Sequence, residues 1–349
     1  MTLEEQIKQI KTVNKQAMKE SKLRWDSIAK PLNSLGKLEK AVIKIAGITN
    51  SHQVVLDKKA LIIMCADNGI VEEGVTQTGQ EVTAIVAENF LKKKASVSIM
   101  SDYTHTDIFP IDIGVAKDTN IINKKIAYGT KNFAKEPAMT YEEAKRAIQT
   151  GIDTVGELKE KGYHIIATGE MGIGNTTTSS AIAALLLGKS VEEVTGKGAG
   201  LSNEGLNRKI QVIQDALLLH KPDKENMIDV LSKIGGFDIA GLAGVFLGGA
   251  MYHIPVVIDG FISAVSALVA ARMNALAIEY MLPSHASKEP AAWYVLQALG
   301  LEPFITCDMC LGEGTGAVAV FSILDMATAV YNSMSTFEQI EVAAYQPLS

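Results

Sequence analysis

The stretch "LGEGTGAVAVFSILDMATAV", residues 311–330, sets one carboxylate, Glu313, between Gly312 and Gly314 just ahead of an apolar helical segment. A glutamate there either offsets the partial positive charge of a helix start or meets a ligand together with nearby backbone N–H groups. A second candidate is "TGEMGIGNTTTSSAIAALLLG", in which a strand runs into Gly169, Gly172 and Gly174, then Asn175, Thr176 and Thr177, and then a helix. Glycines let the backbone approach an anion, and the free N–H groups of the helix start supply donors and partial positive charge. The pattern is neither a Walker loop nor a complete G-x-G-x-x-G, and a plain capped turn fits the same residues. A third, "GKGAGLSNEGLNRKI" (196–210), ends in Arg208 and Lys209. Lys209 offers a point charge for a phosphate, although an isolated lysine ordinarily reads as surface.

Other reactive residues carry weaker signals. His285 in "PSHASKEP" has no partners at metal or triad spacing. Cys307 and Cys310 form a C-x-x-C without two further zinc ligands at similar spacing and without a thioredoxin-like strand before it. Two thiols packed near Glu313 is the preferred reading. The expectation is therefore no metal and no cofactor, with a carboxylate-centred transfer left open. No Ser sits in a G-x-S-x-G elbow.

These residues need a scaffold, and the composition describes one. The chain has 349 residues, 47% apolar and 21% charged, which suits one large domain or two unequal ones with a sizeable core. A net charge of −6 without a basic stripe argues against nucleic acid as a partner. Three cysteines and an N-terminus lacking an apolar signal segment lead to the expectation of a cytoplasmic protein. The apolar stretch 237–270 is interrupted by His253, Pro255 and Asp259, so it reads as buried helix, strand and buried helix, with no membrane partner.

Along the chain, "KALIIMCADNG", "TDIFPIDIGV", "YHIIATGEMGIGN" and "IPVVIDG" are short apolar runs ending in polar loops, as parallel strands covered on both faces do. Helical segments alternate with them, among them residues 1–20 as one amphipathic helix and "EVTAIVAENFLKKKASVSIM". The class is α/β, a mainly parallel sheet flanked by helices. Residues 49–271 are expected to form a Rossmann-like large domain, and 1–48 with 272–349 a smaller helical subdomain from the two termini. In such sheets ligands lie beyond the carboxyl ends of the strands, which selects residues 66–75, 112–116, 169–178 and 259–263.

Taken in order, "KPLNSLGKLE" (30–39), "ADNGIVEEGV" (66–75), "GTKNFAKEPAMT" (129–140), "GEMGIGNTTT" (169–178), "GGFDIAGLAG" (235–244), "PVVIDGFIS" (255–263), "SHASKEP" (284–290) and "LGEGTGA" (311–317) resemble the nicotinate-nucleotide:dimethylbenzimidazole phosphoribosyltransferase family across about nine-tenths of the chain. The resemblance implies transfer of a 5-phosphoribosyl group from nicotinate mononucleotide to a benzimidazole-type base, in cobalamin nucleotide-loop assembly. It makes Glu313 the general base. It maps nucleotide contacts onto Glu170, Gly172, Gly174, Asn175, Thr176, Thr177 and Lys209, with Asp259, Gly312, Gly314, Thr315 and Gly316 around them. It also implies small-molecule substrates and a homodimer, which buried helices rich in small residues suggest as well.

The chain departs from many family members at Asp67-Asn68-Gly69, where they read Asp-His-Gly, and at Thr78-Gly79, where they carry an aromatic–proline pair. Asp67 and Thr76 lie in the segments so altered, so the acceptor is the least determined part of the implied activity. Transfer to a purine, another benzimidazole or a phenol is one alternative. A non-catalytic nucleotide-binding partner subunit is another, although Glu313 and "GEMGIGN" are both intact.

Overall fold

The computed structural model of the chain describes residues 1–345. Its centre is a parallel sheet of six strands: β1 (Lys59–Ala66), β2 (Thr106–Gly114), β3 (Ile122–Asn123), β4 (Ile165–Met171), β5 (Val256–Val257) and β6 (Met281–Leu282). The spatial order is β3-β2-β1-β4-β5-β6, and each neighbouring pair is parallel. This is the doubly wound order, whose direction of winding reverses between β1 and β4. All eight residues of β1 are buried because both faces of the strand are covered.

Alternation along the strands divides the interior in two. Ala60, Ile62, Met64 and Ala66 of β1 enter one core, while Leu61, Ile63 and Cys65 enter the other. On the first face lie the helices Tyr141–Glu160, Asn175–Leu187, Phe237–Met251 and Phe261–Met273; on the second lie Lys37–Thr49, Glu81–Leu91, Ser96–Tyr103 and Thr315–Ser333. The smaller unit proposed from the two termini shares both cores with the large one. Leu3, Ile7 and Val13 join the first, and Ile45 and Phe321 the second. Positions 346–349 lie outside the described residues.

The glycines of the helix Phe237–Met251 serve packing within the chain. A Cβ on Gly244 would overlap the Ile148 carbonyl oxygen, and one on Gly151 the Gly241 carbonyl oxygen. Two helix backbones are therefore in direct contact, which any larger residue would prevent. The small residues are thus accounted for inside one chain and no longer argue for a dimer.

Two helical expectations need correction. Residues 1–20 do not form one helix: Leu3–Ile7 ends early, and a second helix starts at Lys15. Asn14 caps the second by accepting from the N–H groups of Gln16 and Ala17, and Glu279 binds the intervening Thr12 hydroxyl and Val13 N–H. "EVTAIVAENFLKKKASVSIM" likewise gives two helices, separated at Lys93, whose backbone is left-handed (φ 54°).

Among the described residues one helix, Thr315–Ser333, is long and apolar enough by length and composition to cross a membrane. Its Ala317, Val318, Val320, Phe321 and Leu324 are buried in the second core, where it packs on β4 and on the helices Lys37–Thr49 and Ser96–Tyr103.

Candidate active site

A cleft opens at the carboxyl ends of β4 and β5, beside the reversal of winding. One wall runs from Glu170 at the end of β4 through the glycine loop with Gly172 to Asn175 and Thr176 at the helix start; the opposite wall is the loop before the last long helix, with Leu311, Gly312 and Glu313. A smaller compartment adjoins it across the glycine loop and is lined by Gly174, Thr76, Gln77, Thr78 and Lys197. The two share Gly172, Ile173, Asn175, Thr176 and Ala199. Two strand-end loops and their helices thus meet over one space.

The second loop has an unusual backbone. Gly312, Glu313 and Gly314 are all left-handed, with φ of 88°, 61° and 96°. Glycine adopts this region freely, whereas a glutamate does so at a cost of order 1–3 kcal/mol that the surroundings must offset. Asp259, at the end of β5, supplies part of that hold. Its Oδ2 accepts the Gly314 N–H at 3.2 Å, and its Oδ1 accepts those of Gly316 at 2.8 Å and Ala317 at 3.1 Å. It caps the helix Thr315–Ser333, whose own cap residue is a glycine without a side chain. The Thr315 hydroxyl donates to the Gly312 carbonyl at 2.9 Å, closing the turn. Gly316 lies against the His285 ring, and Gly314 over the β4 backbone.

So held, Glu313 is half-buried and its Oε2 is buried without a hydrogen-bond partner. Burial raises its pKa, Asp259 adds to the rise by like-charge repulsion, and the Val97 N–H opposes it. A carboxylate that is shielded, with one oxygen unpartnered, and at a cleft wall is suited to accept a proton from a bound ligand.

The first loop is built differently. Glu170 is buried; its Oε2 accepts from Asn175 Nδ2, which also donates to Asp238 Oδ2 at 2.9 Å. Burial first, and then the neighbouring Asp238, push Glu170 up to about 8. At the start of the helix Asn175–Leu187 the cap residue Gly174 provides no side-chain bond, and the Gly172 and Gly174 carbonyls accept the Asn175 and Thr177 N–H groups at 3.1 and 2.9 Å. Lys209 stands behind it. It is 1% exposed, against the surface position its sequence suggests, and its Nζ donates to the Thr176 hydroxyl at 2.9 Å and the Gly196 carbonyl at 3.1 Å. Burial lowers it to about 8, with Glu289 opposing the fall. A helix start backed by a lysine is suited to a phosphate.

Glu170, Gly172, Asn175, Thr176, Asp259, Gly312 and Glu313 therefore share one cleft, and Gly174 and Thr76 join them through the adjoining compartment. Asp67 and Thr177 line neither. Asp67 is buried, its Oδ2 accepting the Ala116 N–H at 2.7 Å, so it joins the ends of β1 and β2. Thr177 is fully buried. The two thiols are not packed: Cys307 and Cys310 are free and exposed, with only Cys310 on the cleft. Among the described residues no three His, Cys, Asp or Glu side chains are grouped to hold a metal ion.

Sequence reasoning assigned no role to Asp238, Asn68, His285 or Glu289. Asn68 accepts the Thr178 hydroxyl at 2.9 Å beneath the glycine loop. His285 and Glu289 line the cleft. A usable signal existed for Asp238, a lone charge inside the apolar run "FDIAGLAGVFLGGAM", because an isolated carboxylate is not buried without partners.

A doubly wound sheet with a glycine loop facing a carboxylate across one cleft fits enzymes that move a phosphorylated group, and a family model described as phosphoribosyltransferase matches residues 10–342. The nicotinate-nucleotide–dimethylbenzimidazole phosphoribosyltransferases of Ruminiclostridium cellulolyticum and Clostridium acetobutylicum are 48% and 50% identical to the chain, each over all of both sequences. A crystal structure of the protein of that name from Thermus thermophilus superposes with a TM-score of 0.88 at 34% identity, over 95% of this chain and 99% of that one. The chain belongs to the nicotinate-nucleotide–dimethylbenzimidazole phosphoribosyltransferase family.

Proposed function

We propose that the chain transfers the 5-phosphoribosyl group of nicotinate mononucleotide to 5,6-dimethylbenzimidazole or a similar base, giving α-ribazole 5'-phosphate and nicotinate. The observation that carries this reading is Glu313, with one carboxylate oxygen unpartnered, across one cleft from a glycine loop behind which Lys209 is buried. Full-length identity to proteins of that name supports it.

The chemistry asks for these groups. The pyridinium nitrogen of the donor is cationic, so nicotinate leaves with a neutral ring as its bond to the anomeric carbon breaks. One ring nitrogen of the acceptor forms the new bond, and the proton on its other nitrogen passes to Glu313. The raised pKa of Glu313 narrows its gap to that proton's donor. The glycine loop at the start of the helix Asn175–Leu187, with Thr176 and Lys209, holds the donor's phosphate. Asp259 fixes the Glu313 loop through three backbone N–H groups.

Product analysis tests the proposal: nicotinate mononucleotide with a panel of benzimidazoles, purines and phenols. Release of nicotinate with formation of α-ribazole 5'-phosphate is expected. Ribosylation of a purine or phenol alone would move the activity to another acceptor, and no release with any base would favour a non-catalytic subunit.

The proposal extends to assembly and location. A homodimer is supported by Ile85, Ile99 and Tyr103, exposed on the neighbouring helices Glu81–Leu91 and Ser96–Tyr103. Only monomer in light scattering at micromolar concentration would contradict it. Two exposed free thiols fit a reducing cytoplasm.

A further inference from the structure

Beneath the glycine loop lies a buried polar cluster that the transfer scheme does not use. Asp238 is fully buried on the helix Phe237–Met251, among apolar and small residues. Its Oδ2 and the Glu170 Oε2 both accept from one amide nitrogen, Asn175 Nδ2. The groups facing this pair are mostly acidic or neutral. Asp67 and Cys65 come from β1 and its end, Asp259 from the end of β5, and the Glu313 backbone N–H from the opposite loop. Lys209 is engaged by Thr176 and Gly196, and Lys125 by Asp112. Among the described residues no ion pair reaches Glu170 or Asp238.

Two ionised carboxylates on one amide, out of water and without a cation, repel strongly, so the pair retains a proton. Where it resides follows from their other contacts. Asp238 Oδ1 accepts the Ile239 N–H at 3.0 Å at the positive end of a fifteen-residue helix, which favours its ionised form. Glu170 accepts one backbone N–H, that of Glu313, which belongs to a loop and not to a helix end.

We propose that Asp238 is a positioning residue which, through Asn175, holds a proton on Glu170, so that the cleft presents one neutral carboxylic acid and one basic carboxylate, Glu313. The proposal rests on the transfer read above, whose donor carries negative charge on its phosphate and its nicotinate carboxylate. An ionised Glu170 would repel that donor, whereas the acid repels nothing and donates a hydrogen bond to one of its oxygens. Burial moves both groups in the matching sense, Asp238 up to about 6 and Glu170 up to about 8.

The test is pH-difference infrared spectroscopy of the full chain, with Glu170→Gln as the assignment control. A protonated-carboxyl carbonyl band is expected to persist to neutral pH in the wild type and to vanish in Glu170→Gln. In Asp238→Asn it should titrate lower by about one pH unit or more. Turnover gives the second readout. The alkaline limb of kcat/KM for nicotinate mononucleotide should move to lower pH in Asp238→Asn, so that its loss at about pH 8 exceeds its loss at about pH 6 by roughly tenfold. No Glu170 band at neutral pH would overturn the proposal, as would an Asp238→Asn loss equal at all pH values. The wild-type and Glu170→Gln spectra decide the matter even if Asp238→Asn fails to fold. Because the spectra need no turnover, a wild type that releases no nicotinate would overturn the transfer, and a missing band the role of Asp238.

Discussion

Glu170 at the end of β4 and Glu313 in the loop before the last long helix each adjoin a glycine-rich turn into a helix, and both line the same cleft. Their surroundings differ. Glu170 is buried, hydrogen-bonded to Asn175 and backed by a second carboxylate. Glu313 is half-buried on strained backbone, with one oxygen unpartnered. The difference shows how one fold assigns two roles to one residue type. A satisfied carboxylate is stabilised in place by its partners, whereas an unsatisfied one is left to react with whatever ligand arrives.

Collision of the two loops should break the contrast most sharply. A Cβ on Gly312 would meet Glu170 Oε1, at a φ of 88° that alanine disfavours. Gly312→Ala is expected to shift Glu313 and lower kcat by ~10²-fold, because misplacement of about 1 Å has that effect. Steady-state kinetics beside a melting curve checks this; unchanged kcat would mean that the loop tolerates the strain.

On the Glu170 side, Lys209→Ala should weaken nicotinate mononucleotide binding by about tenfold or more while the acceptor's affinity changes little. Titration calorimetry with each ligand separates the two. Equal losses would make Lys209 a fold residue.

A smaller effect concerns the anchor. Asp259→Ala removes the acceptor of three N–H groups and should cost about 0.5–2 kcal/mol of stability, as loss of a helix cap does. Denaturant unfolding reads it directly, and no change would assign the hold on Glu313 to other contacts.

The smallest effect is a slope. Glu170 titrates near 8 in the folded chain against 4.5 when unperturbed, so the folded state binds its proton more tightly. Its contribution to stability is present at low pH and declines as pH rises between those values. Glu170→Gln should therefore show a shallower loss of stability than the wild type from about pH 5 to about pH 8. Parallel unfolding curves across that range would contradict the burial of an acid at this position.

The strands that carry the site were legible because β1 and β4 are continuous apolar runs ending in polar residues. The two-residue β3, β5 and β6 give little pattern of their own and are fixed by their neighbours. Lys209 could not be read as buried, because much of its helix is exposed and the groups that cover it, Thr176 and the glycine-rich turn at 196–200, come from elsewhere in the chain. Asp259 carries a structural duty invisible in "VIDG", since the N–H groups it accepts come from more than fifty residues away. The lone charge of Asp238 was visible in its apolar run, but its partner Asn175, 63 positions distant, was not. The separation of the first helices turned on Glu279, again a contact across the chain.

The most direct measurement is single-turnover transfer by Glu313→Gln, with nicotinate mononucleotide and 5,6-dimethylbenzimidazole, in protein that melts like the wild type. Glutamine keeps the shape and removes the basicity, so the rate should fall by ~10²–10⁴-fold while both substrates still bind. A near-normal rate would contradict Glu313 as the group that takes the acceptor's proton.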